Sequence, residues 1–577
     1  MDPGPAPPRA SRLRLALLAA FVGALALAAY VQTLAYPFVW DDYVFIVKNE
    51  AVTRSRPVGE YFTDSATLSS KEDYQDKIYR PARTLLFAGI HAIAGPSPSA
   101  FRAVAILLHV ACSLLVLLVC LRLGLRPIGA SVAGALFAVH PAHCEVVAWI
   151  SSMADPLMTF FALAGIAVYL RGGAIRKALA VLVALPLALF SKETAVVLPV
   201  LYALCGLWPR GIRGQGVASP WRRLAWPALG AAIAVGYVLW RAAVLGAWGQ
   251  GAITAPQLGR ALREIPLVIS EYLGMSLWPA NLCSLRAALS WSDASALRLV
   301  CTVGATACLA AGVVVGAKRR SQLGFGLLWF ALGLVPVLNL LPVVVQLAER
   351  FVYFPSAGLA LALGALVDAL HARLGARAPY AVMVSGLAVA SLLGLTVARN
   401  LSWRDDMTVA TSQTECEPPD PNAYWNVGTA AARHRDWPVA RAAFETLLTF
   451  DERRTKTLDN LAYVYLQLEL PDLAETASRR SIAVDPRDSS AWNNLGTSMI
   501  HRQLYAQAIE PLETALEIDP GHANAARNLG IARFGLGRYR EAAASFERAA
   551  KANPDCADCR SWSERARAAA NSTPPPQ

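Results

Sequence analysis

Charge is scarce in this chain: 16% of its 577 residues are Asp, Glu, Lys or Arg, against 55% hydrophobic, and the mean hydropathy is +0.39. That scarcity excludes a string of soluble domains and puts the bulk of the chain in a membrane. No glycine-rich nucleotide-binding motif occurs anywhere. The ten cysteines supply no metal framework: Cys112, Cys120, Cys205, Cys301 and Cys308 lie in apolar runs, where a thiol acts as a small buried hydrophobe. "CADC" (Cys556, Cys559) is a lone CxxC without a second pair, weak as a zinc signal and equally suited to a local disulfide in an oxidising compartment. The first apolar stretch, Leu13 to Leu34, ends in "QTLAYPF", which lacks the small-residue pattern of a signal-peptidase site. It is therefore expected to stay as a first span, with Arg9, Arg12 and Arg14 keeping the N-terminus cytoplasmic.

The formal charge of +12 would suggest nucleic acid in a soluble protein, but here the basic residues cluster between apolar runs. Arg122 and Arg126, then Arg171, Arg176 and Lys177, then Arg210, Arg213, Arg222 and Arg223, then Lys318, Arg319 and Arg320, then Arg373 and Arg377 fall at every second gap. By the positive-inside rule these gaps are cytoplasmic, while those containing Asp41, His140, Lys192 and Arg350 face outward. The pattern predicts an all-α polytopic bundle of about eleven spans over residues 13–400, with a first outer loop at 36–100. The Pro-rich residues 1–12 are expected to be disordered and cytoplasmic.

After Arg399 the texture changes, with a linker expected at 401–420. Self-alignment of the remainder gives a 34-residue period: Gly428, Ala462, Gly496 and Gly530 recur at that spacing, as do Ala440, Ala474, Ala508 and Ala542. Pro486, Pro520 and Pro554 close the later units, with Glu452 standing at the first such position. Small residues let paired helices approach and the proline ends each second helix, so 421–556 is expected to be an α-solenoid of about four tetratricopeptide repeats. Residues 557–577 supply a capping helix and a disordered "NSTPPPQ" tail. Such a solenoid binds extended peptides or serves as a scaffold, and its fold alone does not choose between them.

Ionisable residues in the membrane part gather on the outward side. The first loop carries Asp41 and Asp42 and ends in "KIYRPARTL"; a second turn, "VHPAHCEVV", holds His140, His143 and Glu145; a third, "SKET", holds Lys192 and Glu193; a fourth, "QLAERFVYFPSAG", holds Glu349, Arg350 and Tyr353. Each has a bland alternative: a solvated acidic loop, an interfacial ion pair, a snorkelling anchor. The i, i+3 histidines admit a divalent cation, although Pro141 interrupts the helix and no third ligand is fixed. Together, however, carboxylates and cations on one membrane face suit group transfer from a lipid-phosphate carrier. A carboxylate takes the proton of an acceptor hydroxyl, cations stabilise the departing phosphate, and the apolar bundle holds the hydrocarbon chain.

"FVWDDYVFIVKN", "YRPARTL", "ALFAVHPAHCEVVAWI", "SKET" and "AERFVYFPSAG", in that order and followed by tetratricopeptide repeats, resemble the transmembrane O-mannosyltransferases targeting cadherins and their bacterial relatives, within the GT-C class. The resemblance implies a polyprenyl-phosphate sugar donor, an acidic pair at the active site, inversion at the sugar carbon, and repeats in the outer compartment. It makes Asp41 the general base and gives Asp42 an orienting role. His140, His143 and Glu145 would line the donor or acceptor site, with Glu193, Glu349 and Tyr353 close by. Lys192 and Arg350, and more weakly Arg241, would contact the lipid phosphate. Ala82 stands in "YRPARTL" where relatives carry a larger apolar residue, and the repeat array is compact. An Ala- and Arg-rich composition suits a bacterial inner membrane better than the endoplasmic reticulum. The expected activity is transfer of a hexose, mannose by resemblance, to a Ser or Thr hydroxyl of a protein held by the repeats. The rival is a non-enzymatic membrane-anchored tetratricopeptide scaffold for an envelope or polysaccharide assembly. A transporter fits less well, because its ionisable residues belong at mid-membrane.

Overall fold

The computed structural model describes residues 9–70, 78–208, 220–246, 255–286, 291, 295–340, 347–416 and 420–572, and every regular element among them is helical. Two compact units are present, Met1–Pro418 and Pro419–Gln577. Of the segments expected to be disordered, residues 1–8 and 573–577 lie outside the described residues, as do the basic residues Arg210 and Arg213; residues 9–12 instead open the helix Arg9–Tyr30, and residues 571–572 end the helix Ala557–Ser572. The stretch expected to be a linker contains a helix, Asp406–Thr414, opened by a capping box in which Asp405 and Thr408 satisfy each other's backbone N–H groups.

Among the described residues of the first unit seven helical stretches are long and apolar enough to cross a membrane, and an eighth arises if Pro127–Ala138 and Pro141–Val147, bent by 50° at a short break, count as one. The expected eleven is reached only by adding the shorter helices Glu193–Leu207 and Gln322–Val337, and by dividing the 55-residue stretch Glu349–Trp403 into its two helices, Tyr353–Leu374 and Ala378–Asn400. The first half of the helix Tyr353–Leu374 is buried against its neighbours because facing glycines remove the side chains that would hold the helices apart. A Cβ on Gly129 would sit 2.4 Å from the Gly364 carbonyl oxygen, and one on Gly326 2.5 Å from that of Gly358. The same helix caps its neighbour: Asp368 accepts from the backbone N–H of Arg126 (2.6 Å) and of Gly129 (2.9 Å), giving a helix that starts Arg-Pro a carboxylate at its positive end. At the other end of Pro127–Ala138 the helix stops before Pro141, and His140 Nδ1 accepts from the Ala142 N–H. That break produces the polar turn on which the candidate site is built.

The second unit is four helical hairpins and a final helix: Pro421–Arg433 with Trp437–Phe450, Thr455–Gln467 with Pro471–Val484, Ser489–His501 with Tyr505–Ile518, Ala523–Gly535 with Tyr539–Ala552, then Ala557–Ser572. The 34-residue glycines are explained by what faces them. A Cβ on Gly428 would meet Phe444 at 2.5 Å, one on Gly496 would meet Leu512 at 2.5 Å, and one on Gly530 would meet Phe546 at 2.7 Å. In the second repeat the position equivalent to those bulky residues is Ser478, and there the first helix carries Ala462. Trp562 of the last helix stacks on Phe546 at 5.9 Å and closes the open apolar end of the array. Cys556 and Cys559 form a disulfide at the start of that helix, and Cys283 is joined to Cys416 in the first unit.

Candidate functional site

The adjacent acids occupy different surroundings. Trp40, just before them, has φ +53°, a left-handed backbone conformation that a bulky residue rarely adopts. Its N–H is held by Asp406 Oδ1 at 2.6 Å. This kink turns Asp42 inward and leaves Asp41 partly exposed. Asp42 is fully buried and accepts from the Val39 N–H (3.1 Å), the Ser151 N–H (2.8 Å) and the Ser151 hydroxyl (2.6 Å). Burial pushes its pKa up to about 6, against the opposing pull of the Ser151 and Val39 hydrogen bonds and the Arg102 charge.

Two buried arginines fix the same loop. Arg102, on the helix Pro98–Arg122, donates to the Tyr36, Pro37 and Ala148 carbonyls, tying the entry of the acidic loop to the residue that follows "VHPAHCEVV". Arg83, from "YRPARTL", donates to the Ser151 carbonyl at 3.2 Å and lies 4.4 Å over the Phe45 ring. Burial lowers its pKa to about 9. Sequence reasoning did not single out Arg102, Ser151 or Asp155. The available signal was their polarity inside otherwise apolar stretches, where an unpaired polar group is costly.

Of the expected cations, Lys192 and Arg350 are each held by a carboxylate. Lys192 Nζ is 2.5 Å from Asp155 Oδ1, with Lys192 1% exposed. Arg80 is bidentate to Glu193 at 2.9 and 3.3 Å. Arg350 donates to Glu145 through its backbone N–H (2.8 Å) and through Nη1. Arg399 pairs with Glu349 at 2.8 Å. The expectation that Lys192 presents itself to an external phosphate does not fit this enclosure, because its charge is spent on Asp155. Arg350 is the more accessible of the two, its side chain 14% exposed, and no hydrogen bond engages its Nε or Nη2 among the described residues. The Phe351 ring links the two cations, lying 5.1 Å from Arg350 and 5.2 Å from Lys192. Arg241 belongs to the helix Pro220–Leu245, whose Trp240 donates to the Tyr79 hydroxyl at 2.9 Å, against the first outer loop.

The histidines are engaged by protein. His143 contacts the Phe137 carbonyl and the Ser356 hydroxyl, both at 2.9 Å; His140 Nε2 contacts the Ser276 carbonyl at 3.0 Å; Tyr353 bonds His109 at 2.8 Å. Among the described residues no group of three metal-ligating side chains converges. These histidines instead form the polar end of a cavity of about 520 Å³ with Ser276 and Ser356. Its walls run between the helices Tyr353–Leu374 and Ala378–Asn400 and are almost wholly aliphatic, including Leu359, Leu363, Leu370 and Leu392.

The segment Pro141 to Asp155 is thus the hub. Glu145 binds Arg350, the Ala148 carbonyl binds Arg102, Ser151 binds Asp42 and Arg83, and Asp155 binds Lys192. The acidic loop, "SKET" and "QLAERFVYFPSAG" therefore all meet on the "VHPAHCEVV" turn and the residues just after it.

A family model described as tetratricopeptide repeat matches residues 487–555. The chain is 34% identical over 195 residues to the protein O-mannosyl-transferase Tmtc1 of Drosophila melanogaster, covering 32% of this chain and 22% of that protein. It is 25% identical over 438 residues to a protein O-mannosyl-transferase of Caenorhabditis elegans, covering 70% of this chain and 58% of that protein. Among solved structures, the MamA protein is similar over 26% of this chain at 20% identity, with a TM-score of 0.24. The site and the repeats therefore define a multispanning membrane protein with a tetratricopeptide array. More particularly, the chain resembles the transmembrane O-mannosyltransferases, and it spans less than two thirds of the length of the two relatives named here.

Proposed function

We propose that this protein is an integral-membrane glycosyltransferase that moves a hexose, mannose by likeness to its relatives, from a polyprenyl-phosphate carrier to a Ser or Thr hydroxyl of a protein outside the cytoplasm. The observation that carries this reading is the convergence, on the single turn Pro141–Asp155, of an acidic loop and a linked pair of cations. The partly exposed Asp41 takes the acceptor's proton as its oxygen attacks the anomeric carbon. The bond from that carbon to the phosphate oxygen breaks on the opposite face, so the configuration inverts and polyprenyl phosphate departs with the bonding pair. Arg350 stabilises the charge arriving on the phosphate. Asp42 does not touch the substrate in this scheme; locked by Ser151 and Val39, it sets the position of Asp41. Lys192 and Asp155 form a strut beneath Phe351. The aliphatic cavity below His140 and His143 is of a chemistry that receives a hydrocarbon chain, and the repeats hold the acceptor polypeptide. The Cys283–Cys416 and Cys556–Cys559 disulfides favour an oxidising, extracytoplasmic location for both units' non-membrane parts.

The test is sugar transfer from polyprenyl-phosphate mannose to secreted or membrane proteins by membranes holding the wild-type chain or Asp41→Asn. Transfer that persists in the variant overturns the assignment of the base.

A further inference from the structure

Trp40, Trp149 and Trp403 come from three separate segments and form one stacked column. The Trp40 and Trp149 ring centroids are 5.0 Å apart with planes at 22°, and those of Trp149 and Trp403 are 5.8 Å apart at 16°. Trp149 and Trp403 are buried, at 6% and 1% exposure, and their indole N–H groups have no hydrogen-bond partner among the described residues. Trp40 ends the column partly exposed, in its left-handed backbone conformation, immediately before Asp41. Packing alone accounts poorly for this combination. A ring needed only to fill the core would be enclosed, and a bulky residue at positive φ persists only where its surroundings enforce it, which is characteristic of functional positions. Here the enforcement is visible in Asp406 on the Trp40 N–H and in two indoles behind the ring.

We infer that the outward face of Trp40 is the platform on which the transferred hexose stacks. A pyranose is amphipathic, with C–H groups on its faces and hydroxyls around its edge. A rigid indole beside a carboxylate matches both parts, the ring taking the C–H face and Asp41 lying at the hydroxylated edge. An isoprenoid chain would gain nothing from the carboxylate, and a peptide side chain would not need so rigid a plane. The location also fits a sugar attached to phosphate: the Arg350 guanidinium lies 5.6 Å from the Trp149 ring, one ring away from Trp40. A phosphate near Arg350 would leave its hexose over Trp40 with the anomeric carbon within reach of Asp41. The inference rests on the glycosyltransferase reading and adds the residue that recognises the sugar as distinct from its carrier.

The test is equilibrium binding of two probes, polyprenyl-phosphate mannose and polyprenyl phosphate without sugar, to the full chain in lipid nanodiscs. Wild type, Trp40→Ala and Trp40→Phe are compared, with thermal melting as a check on folding. Trp40→Ala is expected to weaken the sugar-bearing lipid about tenfold, the scale of one aromatic contact, and to leave the sugarless lipid within about twofold. Trp40→Phe keeps a stacking face and is expected to recover most of the loss. Equal effects on both lipids, or none on either, overturn the platform while leaving the donor class standing. A wild-type chain that binds neither lipid overturns the donor reading itself, and the platform with it.

Discussion

Replacing Lys192 by Met separates the strut role of this residue from direct contact with substrate. Lys192 and Asp155 are 1% and 5% exposed and 2.5 Å apart, so the substitution leaves a buried carboxylate whose remaining partner is the Ser152 hydroxyl at 3.5 Å. Removing one partner of a buried pair costs about 3–5 kcal/mol, because the other charge stays desolvated and uncompensated. For a unit of this size that corresponds to a fall in melting temperature of roughly 3–6 °C. Adding Asp155→Asn removes the stranded charge, and the double variant is expected to recover most of the loss, since a neutral pair of similar volume is often no less stable than the ion pair. The assay is thermal melting in detergent, with transfer activity measured on the same samples. A single variant that melts within about 1 °C of wild type, or a double variant no better than the single, refutes the strut. Recovery of melting without recovery of transfer would return Lys192 to the substrate.

Other consequences are open to direct measurement. The Ser151 hydroxyl holds the Asp42 pKa down against burial, so Ser151→Ala is expected to raise it above about 6 and move the acid limb of the transfer profile toward higher pH, by roughly half a unit to one unit. Because the folded-state value already exceeds the ordinary one of 3.8, this group's contribution to stability is full below about pH 4 and is lost as pH rises through 6. An unchanged profile would mean that Asp42 does not govern it. Gly530→Val drives a side chain into Phe546 and is expected to destabilise residues 419–577 by about 1–3 kcal/mol, read as an earlier helical melt by circular dichroism, with an unchanged melt refuting the packing argument. Cys283→Ser is expected to make Cys416 newly reactive to alkylation without reductant, detected as a mass shift; Cys416 that already reacts in the wild-type chain excludes the bond.

How far the sequence carries can be judged from particular residues. The repeat array is legible because its glycines are forced by facing side chains at a fixed period, and the substitution of Ala462 where Ser478 replaces a bulky residue follows the same rule. The membrane class is legible because apolar runs dominate composition. The span count is not, since a bent pair and helices of under 18 residues blur any length rule. The acidic pair and the cations could be grouped from charge patterning, but their partners could not be assigned. Glu145 and Arg350 are 205 residues apart and Lys192 and Asp155 are 37 apart, and no local spacing encodes either pairing. The inward Asp42 and half-open Asp41 differ only through a backbone kink at Trp40, which a sequence of adjacent acids cannot reveal.

The most direct test of the central claim is transfer from polyprenyl-phosphate mannose to protein by the purified full chain, followed by mass spectrometry of the modified acceptor. The account predicts a hexose on Ser or Thr made by the wild-type chain, and a rate about 10²–10⁴-fold lower for Asp41→Asn with unchanged melting, the usual contribution of a general base. Transfer by Asp41→Asn at the wild-type rate, or no hexose transferred by a folded wild-type chain, would contradict it.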